Sequence, residues 1–311
     1  MASIGSIVGG AVGVVRDRPG AVAAWGVTYL VGSIALVLLI VGLAFALGFG
    51  APTGGYGSAP QFSGGIILEI LLFYVGYFLL LVILMNAVFR TILRPEERSF
   101  FSLRLGMDEW RMLGLLILVA ICSIILMIVV QLLMMLLGFI IALLAQGSPA
   151  VAAIGAALLF IGYLCGFVWL GVRLSLLYPL TFHRRAITLD EAWSLTRGRF
   201  WTLFGAYLVI VVVLLVVCGT FFWLTLGGFF AEVARAGNDP VLARQATEEV
   251  MARIAAVPLA VQLLVGLLWA VFIAVGSVVW HGMLASAARE LLLEQGEVIG
   301  ADAESTAAIF E

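Results

Sequence analysis

The residues of this chain that could do chemistry are polar groups set inside long apolar runs. They are Glu69 in "GGIILEILLFY", Asn86, Gln131, Arg173 in "VWLGVRLSLLYP" and His281 in "VVWHGML". An ionisable group in hydrocarbon is costly to bury, so each such residue is a candidate functional residue. The five residues are far apart along the chain, and their spacing predicts neither a catalytic pair nor a metal cluster.

Each of these residues also has a structural interpretation. We interpret Glu69 as a hydrogen-bonded or snorkelling structural acid, with an ion or partner site as the alternative. Arg173 is interpreted as the partner of another helix or of a phosphate. His281 is predicted to be a hydrogen-bonded histidine inside a helix bundle, and Asn86 and Gln131 are predicted to hydrogen-bond between helices.

The elements that must position these groups are transmembrane helices. Apolar residues make up 64% of the 311 residues and the mean hydropathy is +1.21, against roughly 45–50% apolar in soluble domains. A bilayer core needs about 20 apolar residues in a helix, and six stretches meet this length, at 21–49, 64–93, 112–145, 151–181, 201–230 and 257–293. The sequence therefore predicts an all-α polytopic membrane protein with one six-helix domain over 1–295 and a short acidic tail over 296–311.

The arginines predict the orientation of these spans. All 16 basic residues are arginine, and 13 of them fall on one side of the predicted membrane, whereas Arg235, Arg244 and Arg253 fall on the other. By the positive-inside rule both termini are cytoplasmic in a bacterial inner membrane. On the outer side, 237–258 is predicted to form an amphipathic surface helix with Asp239 as its N-cap and Pro240 at its first position.

A threefold internal repeat is predicted from the blocks 11–26, 99–114 and 190–205, whose last glycines are 88 and 91 residues apart. Each unit would be a cytoplasmic interfacial elbow helix followed by a transmembrane hairpin. In the third block Thr188 and Glu191 have capping-box spacing. Basic and aromatic residues in and beside these blocks are the candidate contacts to lipid or a partner: Arg104, Arg111, Arg184, Arg185, Trp193, Arg197, Arg199 and Trp201.

The segment "VRLSLLYPLTFHRRAITLDEAWSLTRGRFWTLFG" (172–205) resembles the membrane domain found in bacterial glycerophosphoryl diester phosphodiesterases and their relatives. The matching features are Arg173 with "LSLLYP", then Ala192, Ser194, "LTRG", "FW" and Gly205. The acid that usually follows the proline is replaced here by 181–185. The resemblance implies an all-helical membrane module. It does not imply hydrolase activity, because the sequence has only two histidines and we expect no soluble catalytic domain.

Three functions follow from these features. The first is a non-enzymatic inner-membrane module that binds lipid, a partner subunit or a second copy of itself. The alternative is a transporter or channel for a small or lipidic solute. The third is an enzyme that acts on lipid headgroups. The sequence gives it no support, because it contains no HExxH, Gly-x-Ser-x-Gly or glycine-rich phosphate motif. We expect no cofactor and no nucleic-acid partner.

Overall fold

A computed structural model of the chain describes residues 3–46, 64–96, 106–145, 147–237, 240–297 and 299. Every regular element in these ranges is a helix, as predicted. The helices are α1 (Ile4–Asp17), α2 (Pro19–Ala46), α3 (Gly64–Leu93), α4 (Met107–Leu144), α5 (Pro149–Leu174), α6 (Leu177–Arg184), α7 (Leu189–Leu195), α8 (Phe200–Ala236), α9 (Pro240–Ala256) and α10 (Leu259–Glu294).

Six stretches of the described chain are long and apolar enough to cross a membrane, which confirms the predicted number of spans and makes this a multi-pass membrane protein. They correspond to α2, α3, α4, α5 together with α6, α8 and α10. Helix α4 has 38 residues, about 57 Å at 1.5 Å per residue, and so is longer than the hydrocarbon is thick.

The fourth span is not one continuous helix, because the chain turns between α5 and α6. Pro179 has no backbone N–H to donate to the carbonyl of Ser175, four residues earlier, so the α-helical ladder cannot continue there. The Ser175 hydroxyl instead donates to the carbonyl of Val172, at 2.7 Å. The short helix α6 begins after this turn and carries His183 and Arg184 in its last turn.

The elbow helix predicted over 11–26 differs from the structure, in which α1 begins earlier, at Ile4, and ends at Asp17, and α2 begins at Pro19. The early start was not predicted because the four glycines of α1 have low helix propensity. Helix α1 begins with a capping box in which Ser3 and Ser6 exchange hydrogen bonds. The glycines serve close packing: a Cβ at Gly10 would lie 2.5 Å from the hydroxyl oxygen of Ser286, and a Cβ at Gly282 would lie 3.4 Å from the Ala11 backbone. Small residues let two helix backbones approach in this way, so α1 lies tightly against α10.

Most of the buried core lies at one end of the bundle, where α2, α4 and α8 begin and α3, α6 and α10 end. We call this the arginine-rich end. Its buried side chains come from α1, the end of α3, the starts of α4 and α8, both flanks of the α5–α6 turn and the last turns of α10. They include Ile7, Phe89, Met112, Leu176, Leu180, Phe182, Leu203, Met283 and Leu292. The core therefore ties α1 to α10.

The hairpin formed by α4 and α5 stands apart from the other spans. It contacts α3, α6, α7 and α8 through the ends of its helices at the arginine-rich end. Beyond that end its apolar side chains are exposed along both helices, from Ile117 to Leu144 and from Val151 to Phe167. These side chains are available to lipid or to another membrane protein.

The predicted repeat blocks have partly different local structure. In the third block Thr188 is the N-cap residue of α7 but its side chain makes no capping hydrogen bond. The predicted capping box is wrong because the Glu191 carboxylate binds Arg184 instead, at 2.7 Å. In the second block α4 begins at Met107, and residues 99–105 lie outside the described ranges, as do Asp239 and the tail beyond 299.

Candidate functional site

Two arginines near the end of α3 lie within the core of the arginine-rich end. Arg90 forms an ion pair with Glu109 at 2.8 Å, and the two side chains are 2% and 1% exposed. The second Glu109 oxygen accepts a hydrogen bond from the backbone N–H of Gly106 at 2.8 Å, so the same carboxylate caps α4. The pair fixes the last turn of α3 against the first turn of α4.

Arg94 is the residue immediately after α3 and joins three elements. Its guanidinium donates to Asp108 at 3.2 Å, to the His183 carbonyl at 2.8 Å and to the Phe182 carbonyl. The guanidinium carbon is also 4.6 Å from the centre of the Phe182 ring, a cation–π distance. Asp108 in turn accepts from Arg111 at 3.0 Å. Through its bonds to Asp108 of α4 and to two carbonyl groups of α6, the Arg94 guanidinium holds α3, α4 and α6 together.

This cluster was not predicted as a site from the sequence. The available signal was the i,i+4 spacing of Arg90 and Arg94 together with two acids in the first turn of α4. Their pairing depends on how the chain returns between α3 and α4, which spacing alone does not determine.

Asn86 lies one turn before Arg90 and is fully buried, yet neither its amide nitrogen nor its oxygen has a hydrogen-bond partner in the described chain. Gln131 is exposed on α4. Neither residue makes the interhelical hydrogen bond predicted from sequence: Asn86 is buried without a partner in the described chain, and Gln131 is exposed on the α4–α5 hairpin.

Arg173 lies at the end of α5 and connects it to α7. One guanidinium nitrogen donates to the Trp193 carbonyl and to the Thr196 hydroxyl, each at 3.3 Å. The guanidinium carbon is 5.6 Å from the Trp169 ring and 5.1 Å from the Trp193 ring, and the two rings meet edge to face at 5.5 Å. Arg173 was predicted to have a partner on another helix, and in the structure that helix is α7.

His281 and Glu69 are distant in the chain and have separate environments. The Nδ1 atom of His281 is 2.8 Å from the Ser277 carbonyl oxygen, and its ring lies edge-on to Phe89, which fits the predicted bundle histidine. Glu69 is half-buried on α3, and one of its carboxylate oxygens is buried without a hydrogen-bond partner in the described residues.

A second ionic cluster fixes the segment that follows α10. Arg184 binds Glu191 at 2.7 Å and Glu297 at 2.8 Å, and His183 Nε2 lies 3.0 Å from Glu297. Burial of Glu297 raises its pKa, but hydrogen bonds from His183 and Arg184 and the charge of Arg184 outweigh burial, so its pKa lies below the ordinary value. Ile299, two residues later, is buried in the core.

The remaining predicted contacts lie on the surface around α7. Arg185, Arg197 and Arg199 are exposed, and Trp201 is 76% exposed. Arg199 forms an ion pair with Glu294, whereas Arg197 has no ion-pair partner among the described residues. Arg104 lies outside the described ranges.

An apolar groove leads from the membrane half of the hairpin to α7. It consists of two cavities of about 710 Å³ and 400 Å³ that share Ser123, Leu126 and Leu170. The larger extends between α4 and α5 to Leu158, and the smaller ends at Trp193 and Asp190. A groove with this lining fits hydrocarbon chains along its length and a polar group at its α7 end.

Among the described residues no group of three or more histidines, cysteines, aspartates or glutamates could hold a metal ion. Cys122, Cys165 and Cys218 are free thiols.

Comparison of the chain with protein-family models, with curated proteins and with solved structures finds no match. The resemblance of 172–205 to the phosphodiesterase-associated membrane domain therefore stays a prediction.

Proposed function

We propose that this chain is a non-enzymatic module of the bacterial inner membrane that binds anionic phospholipid at α7 and the start of α8. The observation that carries the proposal is that the apolar groove ends at Trp193 of α7. The exposed side chains of Arg197 and Trp201 follow Trp193 within eight residues of the chain. Exposed tryptophans favour the membrane interface, and an arginine there can bind phosphate oxygens in bidentate geometry. The groove provides a place for the acyl chains of the same lipid.

In this proposal the arginine-rich end faces the cytoplasm, and α7 acts as the interfacial elbow of one of three repeated hairpin units. The support is the side on which 13 of the 16 arginines fall and the position of the repeat glycines, since Gly26, Gly114 and Gly205 each lie within the first eight residues of α2, α4 and α8. The resemblance of 172–205 to a membrane module supports the same assignment.

The positions of the polar candidate residues Arg173, His281 and Glu69 favour a binding function over a catalytic one. Arg173 binds α7, His281 binds its own helix, and Glu69 lies elsewhere on α3. These three residues have different neighbours and do not form one reacting site. None of them lines either part of the groove.

The test is to purify the protein in mild detergent and quantify the phospholipid retained per chain by mass spectrometry. In the double variant Arg197→Gln, Trp201→Ala we expect retained anionic lipid to fall about tenfold, since both the charged and the interfacial contacts are removed. The matched control is Arg244→Gln, an arginine on α9 that is 72% exposed.

Equal anionic lipid in the double variant and the parent would overturn the proposal. Loss of a co-purifying protein with lipid unchanged would replace it with a partner-binding function. Solute flux across reconstituted vesicles that is lost in Glu69→Gln or Arg173→Gln would replace it with transport.

A further inference from the structure

The apolar groove of the α4–α5 hairpin is closed at one end and open at the other. A Cβ atom at Gly155 would lie 2.5 Å from the Cγ2 atom of Ile141, so α4 and α5 are in close contact near the turn that joins them. A Cβ atom at Gly162 or Gly166 would meet no atom within 4 Å, and both glycines line the groove. The space between the two helices therefore opens from Gly155 towards α7.

The larger cavity of the groove is lined almost entirely by apolar side chains. Its lining residues are spaced three or four apart, on one face of each helix; they include Met127, Val130 and Met134 of α4 and Gly162, Gly166 and Leu170 of α5. Among the described residues that line this cavity, Ser123, Tyr163 and Trp169 are the ones with polar side-chain atoms. A ligand in the groove must therefore be hydrocarbon over most of its length.

The length of the groove matches one leaflet of a membrane. Its α5 lining runs from Leu158 to Leu174, which is about 24 Å at 1.5 Å per residue. One leaflet contributes about 15 Å of hydrocarbon, half of the bilayer core, and its interfacial region adds about 6 Å. A groove of this length can receive a lipid tail from one side of the membrane.

The volume of the groove favours a lipid tail over a helix of a partner protein. The larger cavity has a volume of about 710 Å³ between Leu158 and Leu170, which are about 18 Å apart along α5. A helix about 10 Å in diameter would occupy roughly 1,400 Å³ over the same distance. The groove also ends near Ile141, whereas a transmembrane helix would continue across the bilayer.

We propose that the groove binds an acyl tail of a phospholipid from the leaflet at the arginine-rich end, and that the contact between Ile141 and Gly155 limits the length of that tail. The length limit rests on the lipid binding at α7 proposed above, because the headgroup fixes where the tail enters the groove. Lipid tails are as apolar as leucine, so the groove gains affinity through van der Waals packing. A tail that ends early leaves part of the lining without this packing, and a longer tail must bend away at Ile141.

Gly162 and Gly166 are positions at which the groove can be shortened. Along α5 from Leu174 the groove is about 24 Å long, whereas Gly162 is reached after about 18 Å and Gly166 after about 12 Å. A leucine at either glycine enters open space inside the groove. Each step of about 6 Å corresponds to roughly four or five carbons of an extended tail, whose C–C bonds are about 1.5 Å long.

The experiment mixes the purified full chain with phosphatidylglycerols that share a headgroup and differ in their tails, namely the didecanoyl, dimyristoyl, dioleoyl and dierucoyl lipids. Native mass spectrometry quantifies each bound lipid. In the parent protein we expect dioleoyl lipid to bind about tenfold more tightly than didecanoyl lipid, because its tail reaches Ile141. The longer dierucoyl lipid should bind no more tightly than dioleoyl lipid.

Two variants shorten the groove in steps. Gly162→Leu should favour dimyristoyl over dioleoyl lipid, and Gly166→Leu should favour didecanoyl lipid, with a change of about tenfold in each ratio. The matched control is Gly171→Leu, at a glycine of α5 that has no neighbour within 4 Å and lines neither cavity. Its tail preference should equal that of the parent. Unfolding temperatures identify any variant that does not fold.

Tighter binding of dierucoyl than of dioleoyl lipid by the parent protein would overturn the length limit, and this outcome depends on no variant. Unchanged tail preference in folded Gly162→Leu and Gly166→Leu proteins would overturn the binding of the tail in the groove. Loss of a co-purifying membrane protein in these variants, with the tail preference unchanged, would assign the groove to a partner helix instead.

The double variant Arg197→Gln, Trp201→Ala separates the tail site from the headgroup site. It should weaken the binding of all four lipids equally, because neither residue lines the groove. If it binds lipid as the parent does while Gly162→Leu still changes the preferred tail, the headgroup site at α7 fails and the groove stands. If its binding falls while Gly162→Leu leaves the preferred tail unchanged, the headgroup site stands and the groove fails.

Discussion

Arg90 and Glu109 illustrate how single charged residues enter the core of this protein. Each loses its hydration when buried, a loss of several kcal/mol per ion that only close pairing and further hydrogen bonds offset. The Glu109 carboxylate has a close ion pair with Arg90 and a further hydrogen bond from the Gly106 backbone N–H, through which it caps α4. The pair then depends on both partners, and removing one leaves the other charged and buried.

We expect Glu109→Gln to lower the free energy of unfolding by about 3–5 kcal/mol, the usual effect of breaking a buried ion pair. The measurement is denaturant unfolding in detergent micelles. Glu248→Gln, which breaks the exposed pair with Arg244, is the control and should cost at most about 1 kcal/mol. Similar losses in the two variants would contradict a structural role for Glu109.

Glu297 gives the docked C-terminal segment a dependence on pH. Its pKa is lower in the folded protein than its ordinary 4.5, so docking is stabilised by the ionised form. This stabilisation is present above pH 4.5 and is lost as the pH falls towards the folded pKa. The charged and titratable groups around it are His183, Arg184 and Glu191.

Hydrogen exchange of 295–299 should therefore become faster than the intrinsic rate predicts as the pH falls below 4.5 towards the lowered pKa of Glu297. In Glu297→Gln the segment should exchange quickly at every pH, because the ionised carboxylate is gone. Protection that persists in this variant would show that Ile299 and its neighbours hold the segment without the carboxylate.

At the scale of elements, the six spans were predictable because each is a long apolar run that only a helix can accommodate in hydrocarbon. The break between α5 and α6 was missed because Ser175 and Pro179 lie inside such a run. The start of helix α1 at Ile4 was missed because glycine normally disfavours helices, and here glycine allows the approach to α10. The ion pairs of α3 with α4 and α6 join residues whose contact no local pattern specifies.

The packing of α1 on α10 predicts an asymmetry between two glycines of α10. Gly282→Leu should lower the free energy of unfolding by about 1–3 kcal/mol, because the new side chain meets the Ala11 backbone. The matched substitution Gly266→Leu changes helix propensity equally but enters open space. Thermal unfolding in one detergent compares them, and equal stabilities would contradict the close approach.

At the scale of the whole molecule, the protein has a consolidated end and a loosely packed membrane half. Ionic clusters and the apolar core meet at the arginine-rich end. The α4–α5 hairpin leaves that end with its sides exposed. Binding sites are therefore expected at the consolidated end and along the foot of the hairpin, where geometry is fixed by packing.

The proposed orientation predicts opposite labelling of two engineered cysteines. In a protein whose Cys122, Cys165 and Cys218 are replaced by alanine, Arg244→Cys should react with a membrane-impermeant maleimide in intact spheroplasts. Arg197→Cys should react only after the membrane is opened. Reaction of both positions in intact spheroplasts would contradict the cytoplasmic placement of the arginine-rich end.

The packing of α1 against α10 also bears on biosynthesis. Ribosomes make α1 before α10, so α1 cannot reach this neighbour until residues 259–294 have left the translocon. Hairpins can insert one after another, but closure of the arginine-rich end is a late step of maturation. A nascent chain stalled before 259 should leave its amino-terminal helix open to proteases.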